Sequence, residues 1–296
     1  MSFDLYFCSD KKDKITKNDL ADYFAKFYYF QQEWVYYNTN TGVYSIFKYL
    51  DDPNNDFETL VPQGYYETKL TVTTNYNRPR FFADEIMLFI ERLCDYFDLL
   101  VIDPQDHEIS GNSLPKKAKS SNLIDSWLKS NKQTLNVLKL NGSLPPYLDR
   151  EKSTYWWNYQ YNFQNLKNSF PDSIFVPNIF LMKQSKSQKI VTALSWTNAI
   201  PFVFPDCDIV IITHLEKQGF LKHKIKPVLK GVINSELIRE RFSDFIQIVD
   251  TETGRLPVLM TDKAGKVKKK YYGLSSDLEP IAYERIAPDS FIDEVI

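Results

Sequence analysis

Between Trp34 and Leu50 the chain reads WVYYNTNTGVYSIFKYL. Two runs of alternating side chains flank Asn38-Thr39-Asn40-Thr41-Gly42, a group of turn formers that ends on the residue best able to take positive φ. Two such runs with so short a turn predict a β-hairpin. This commits the first part of the chain to a sheet, and the remaining segments have to be read against it.

More strands follow from the same period of two. Phe3–Cys8 and Tyr65–Thr74 alternate, and Leu99–Ile102 is a short apolar run. Ile174–Met182 and Lys189–Trp196 flank the polar turn QSKSQ, and Ile209–Thr213 is wholly apolar apart from its last residue. Leu256–Met260 is expected to pair with a later strand across TDKAGK, with the lysine-rich KVKKKYYG as a solvated hairpin strand. Mixed lysines and aromatics of that kind also occur where proteins touch nucleic acid.

Helical spacing appears elsewhere. Thr16 is a candidate N-cap with Asp19 three residues on, and Leu20, Tyr23, Phe24 and Phe27 follow at helical intervals. Phe82–Phe97 places Phe82, Ile86, Phe89, Ile90, Leu93 and Phe97 on one stripe, with acidic residues in its first turn. Asn122–Leu140 and Glu236–Ile246 are further helices. In Tyr155–Phe170 the odd positions from Tyr155 to Phe163 are aromatic, which suits a strand. Trp156, Tyr159, Phe163, Leu166 and Phe170 suit a helix, and the run's length and its Gln, Asn and Lys filling favour that reading. The sum is an α+β fold, a mixed or antiparallel sheet packed with amphipathic helices. It is read as one domain over residues 1–296, with a candidate lobe boundary in the polar stretch near 141–152.

Composition decides the class of molecule. With 296 residues, 43% hydrophobic and 15% aromatic, the chain can bury a large core, so general disorder is excluded. A net charge of −2 lacks the basic excess of a dedicated nucleic-acid binder. No apolar run approaches the roughly 18 residues of a membrane span. Asp4 interrupts the short apolar start MSFDLYF, which is not a secretory signal. The expectation is a cytoplasmic protein with no membrane or nucleic-acid partner. Cys8, Cys94 and Cys207 are far apart, odd in number and flanked by apolar residues, so they read as buried thiols.

Chemistry-bearing motifs are sparse. The three histidines, His107, His214 and His223, lie in no metal-binding spacing. Asp103, Asp106 and His107 follow the apolar run Leu99–Ile102; they form either a loop turn or the site of a metal-dependent hydrolase. Asp206 and Asp208 stand two apart, as a turn before a strand or as an acid–base pair. With nine glycines and no glycine-rich fingerprint, phosphate-cradling loops are poorly supplied. No cofactor or metal site and no enzymatic activity is expected. Adjacent aromatics such as Tyr65-Tyr66 and Trp156-Trp157 cannot both point inward, and an exposed aromatic is a favoured interface anchor.

FDLYF, YYNTNTGVYSIF and VPNIFLM…TALSWTNAIPFVFPDCDIVII together resemble segments of bacterial immunity proteins of polymorphic toxin systems, those of type VI secretion or contact-dependent inhibition. The resemblance covers the N-terminal fifth and about forty residues from Val176 to Ile212. It implies a scaffold hairpin, in which Gly42 allows the turn while Val43, Tyr44 and Phe47 pack the sheet. It also implies a cytoplasmic protein without catalytic residues, which binds a cognate toxin and occludes its active site. The surface expected to do so is the acidic loop Asp51, Asp52, Asp56 and Glu58 with the exposed member of Trp156 and Trp157.

Overall fold

The computed structural model describes residues 2–12, 15–50, 61–105, 114–185, 187–218, 224–251, 254–262 and 264–294. Helices and largely antiparallel strands coexist, so the fold is α+β. The chain divides into two compact units, Met1–Pro145 with Pro288–Ile296, and Pro146–Ala287. The division lies between two prolines inside the polar 141–152 stretch.

The first unit is built on one sheet. Its strands are β1 (Ser2–Ser9), β2 (Tyr28–Phe30), β3 (Glu33–Tyr37), β4 (Tyr44–Tyr49), β5 (Tyr66–Asn75), β6 (Leu100–Ile102) and β7 (Lys116–Lys117). They lie in the order β2-β3-β4-β5-β1-β6-β7, every pair antiparallel. Its helices are α1 (Lys17–Tyr23), α2 (Phe81–Phe97) and α3 (Ser120–Leu140). The alternation seen in the sequence is the alternation of faces. Phe47, Val72 and Leu5 align across three strands on the buried face, while their neighbours Ile46, Thr73 and Asp4 are half-buried on the other. Burying each large apolar side chain of that row contributes about 2 kcal/mol. The stripe on α2 packs above it, with the Phe89 ring 5.5 Å from Phe47 and 5.6 Å from Tyr36. In α3 the fully buried Trp127 lies against Tyr76.

The last residues of the chain complete this unit. Phe291 is fully buried, 6.1 Å from Phe81, and the Arg80 backbone N–H donates to Asp293 at 2.9 Å. Gly42 has φ +70°, and a Cβ there would meet the Pro288 ring at 3.0 Å. Both the turn and the close approach therefore require glycine.

The second unit begins with β8 (Tyr147–Leu148), α4 (Arg150–Tyr161) and α5 (Phe163–Asn168). The helical reading of the ambiguous aromatic run is thus correct. Next come β9 (Phe180–Gln184), β10 (Ile190–Thr197), β11 (Phe202–Val203), β12 (Ile209–Gln218) and β13 (Lys224–Asn234). The chain then forms α6 (Ser235–Arg241), β14 (Ile246–Thr251), β15 (Gly254–Leu259), α7 (Lys266–Tyr272) and β16 (Tyr283–Arg285). One sheet runs β13-β12-β10-β9-β16 and another β11-β15-β14. Among the described strand pairs of these two sheets only β10–β12 is parallel. At the core Trp196 sits 4.7 Å from Tyr271, 5.1 Å from Phe242 and 5.2 Å from Phe202.

Several expectations are corrected here. The strand expected at Ile174–Met182 starts only at Phe180. The helix expected through Ile246 ends at Arg241, where a 3-10 turn leads into β14. β15 pairs with the preceding β14 and with β11, not with a later strand. KVKKKYYG forms α7 rather than a hairpin strand, because Val267 and Tyr271, four residues apart, are the buried positions and the lysines between them face solvent. The Asp262 carboxylate accepts from the Lys266 and Val267 N–H groups and starts that helix.

Candidate partner-binding edge

The opening hairpin, β3 and β4, is fastened at its loop. Glu85 of α2, 5% exposed, accepts from the Tyr36 hydroxyl at 2.7 Å, the Asn38 amide at 2.8 Å and the Thr41 hydroxyl at 3.0 Å. A buried carboxylate is tolerated when donors of this number satisfy it. The hairpin is therefore held rigidly on α2, and β3 presents a fixed outer side.

β2 lies along that outer side, and its approach is equally fixed. Thr16 caps α1 and Asp19 returns the bond, a complete capping box. The chain leaves α1 through Phe24, whose buried ring lies 4.9 Å from Phe47 and 5.3 Å from Trp34. Phe27 packs 5.2 Å from Phe89. Beyond these anchors the next three residues stand in solvent: Tyr28 is 67% exposed, Tyr29 52% and Phe30 54%. Tyr28 and Phe30 stack on one face, and Tyr29 lies 5.6 Å from Trp34 on the other. The return to β3 is a two-residue turn, with φ +49° at Gln31 and +66° at Gln32. Tight hairpin turns want Asn or Gly in this left-handed region; glutamine there costs about 1 kcal/mol per residue.

The other candidate residues fall elsewhere. Asp51, Asp52, Asp56 and Glu58 lie outside the described residues, as do Asp106 and His107. Trp156 is corrected from surface anchor to core: it is 3% exposed and its indole N–H donates to the Ile179 carbonyl at 2.9 Å. Trp157 is half-buried against Tyr161. Asp103 accepts from the Gln105 N–H and from the Ser126 hydroxyl, beside a hollow of about 90 Å³.

Asp208 is a structural tie. It accepts from the Thr192 N–H and hydroxyl and from Lys152, and its neighbour Asp206 pairs with Arg239. Burial alone would raise the Asp208 carboxyl, but those donors hold it below the usual carboxylate range. His214 packs against Tyr271 and Tyr272, and partial burial lowers its pKa. All three cysteines are buried; burial pushes Cys8 and Cys207 up to about 12 and raises Cys94 as well, so they are thiols rather than nucleophilic thiolates. Among the described residues no three His, Cys, Asp or Glu side chains converge to hold a metal ion. No helix among them is long and apolar enough to cross a membrane.

No family model, curated protein or solved structure matches the chain. The β2 aromatics were not singled out in the sequence. The available signal was YYFQQ, five uncharged residues between a helix and a hairpin, too short to show a period.

Proposed function

We propose that this chain is an immunity-type protein that binds a cognate bacterial toxin in the cytoplasm and neutralises it by occluding its active site. The observation that carries the reading is β2, a rigidly anchored strand that offers three consecutive aromatic side chains to solvent. Exposed clustered aromatics are the usual energetic centre of a protein interface. The segments that resemble immunity proteins supply buried scaffold: Leu5 in β1, Phe47 in β4, and Trp196 and Val210 in β10 and β12. A protein of this kind acts through the surface that such a scaffold displays.

Co-expression with the product of the adjacent gene tests the proposal. The expected result is a complex that survives purification, together with rescue of growth when the toxin is produced. Growth arrest that this protein does not relieve, with no complex formed, overturns it.

A further inference from the structure

The edges of the sheets are treated unequally. β7 consists of Lys116 and Lys117. β13 carries Pro227 and Lys230, and β16 carries Glu284 and Arg285. β14 carries Asp250, which pairs with Arg255 of β15. β11 is apolar, but Phe202 and Val203 are fully buried. Charge and proline at an edge discourage another strand from adding to it. Among the described edge strands β2 alone is exposed and has neither.

Its backbone is also oriented for pairing. A two-residue turn makes Phe30–Glu33 the hydrogen-bonded pair that closes the hairpin. Antiparallel ladders alternate, so Tyr29–Trp34 is the non-hydrogen-bonded pair. Tyr29 therefore directs both its N–H and its C=O away from β3, toward the vacant edge. No strand among the described residues pairs with that side.

We infer that the toxin contributes an extended segment that adds to β2 as an eighth strand, hydrogen-bonded through the Tyr29 backbone. This deepens the proposed function and rests on it. The chemistry of the segment follows from what it would face. Its central residues are uncharged, because a charge opposite Tyr28–Phe30 would lose its water and find no counter-ion on β2. Apolar or β-branched side chains fall opposite Tyr28 and Phe30 on one face, and opposite Tyr29 on the other.

Area requires a partner that reaches beyond β2. The three side chains expose roughly 350 Å², taking about 200 Å² for a full aromatic side chain. A stable interface needs about 800 Å² per partner. A contact confined to β2 falls well short, so the toxin domain of the proposed function would also meet the chain beyond its paired strand.

The probe is the adjacent-gene product in complex with the full chain. The Tyr29 amide should exchange hydrogen rapidly in the free protein and at least ~100-fold more slowly in the complex. Tyr29→Pro deletes a donor that β3 does not use, so it should weaken binding at least ~30-fold without moving Tm by more than a few degrees. Tyr29→Val keeps the donor and should cost under ~10-fold. A complex in which the Tyr29 amide still exchanges rapidly overturns the inference and leaves the proposed function standing; equal binding by Tyr29→Pro does the same. The exchange measurement decides alone if Tyr29→Pro does not fold. Absence of any complex removes both. Self-association of the free chain that Tyr29→Pro abolishes assigns the edge to a second copy and overturns the inference.

Discussion

At one margin of the seven-stranded sheet stand Lys116 and Lys117; at the other stand Tyr28, Tyr29 and Phe30. Both strands are short, and both pair with a single neighbour. The lysines keep water and charge at their edge, so an incoming strand would have to desolvate them. The aromatic edge gives up that protection although its anchoring is elaborate: a capping box ahead of it, Phe24 and Phe27 beneath it, a left-handed Gln-Gln turn behind it and Glu85 holding the hairpin it leans on. Stability alone would not select such a combination. An edge that is left unguarded yet held rigid is suited to recognition.

The deepest way to break the contrast is Glu85→Ala. It removes the acceptor of one buried and two half-buried donors and should cost about 2 to 3 kcal/mol in denaturant unfolding. Hydrogen exchange should rise in β2, β3 and β4 before it rises in β6 and β7. A uniform rise across the sheet would show that the aromatic edge does not depend on this clamp.

Exchanging the character of the two edges comes next. Tyr28→Lys with Phe30→Lys should lower affinity for the proposed toxin partner ~100-fold while leaving Tm nearly unchanged, as titration calorimetry and thermal melts would show. The same two residues set to leucine should retain most of the binding.

Relieving the turn sharpens the comparison at smaller scale. Gln31→Asn with Gln32→Gly suits the left-handed backbone and should stabilise the first unit by about 1 kcal/mol in equilibrium unfolding. Affinity should stay the same, since β2 keeps its register. A loss of stability would mean that the glutamines make contacts which outweigh their strain.

The smallest effect lies at acid pH, where the approaches to both edges depend on a carboxylate. The side-chain hydrogen bond with Thr16 holds Asp19 below its ordinary range, and the bond with Ser120 does the same for Glu91. A depressed folded pKa gives stability that is present above the unfolded value, near 4, and lost as pH falls through the lower folded value. Asp19→Asn and Glu91→Gln should each flatten the acid limb of the stability curve slightly. An unchanged limb in both variants would show that these bonds do not persist in solution.

What could be read from the sequence follows from where a period has room to appear. The α2 stripe spans four turns, and the β3–β4 hairpin shows alternation on both sides of an obvious turn; both were legible. The Thr16–Asp19 box was legible because a cap is a local pair. α7 was not, because two turns of mostly lysine hide a two-residue apolar face. The site escaped for a related reason. Three aromatics in a row look like core, and only the pinning of Phe24 and Phe27 between the sheet and α2 shows that Tyr28–Phe30 have nowhere to be buried. The mismatch between Trp156 and Trp157 was anticipated, but which of them faces inward was decided by the Ile179 carbonyl.

The return of residues 288–294 to the first unit has a consequence for synthesis. A ribosome makes the β2 edge about 260 codons before Pro288, which abuts Gly42, and Phe291, which fills the space beside Phe81. The nascent first unit must wait with part of its interior open while the whole of the second is translated. Phe81 lacks its Phe291 neighbour throughout that interval, so the half-made chain adds an open apolar site to the aromatic edge that the finished one also shows.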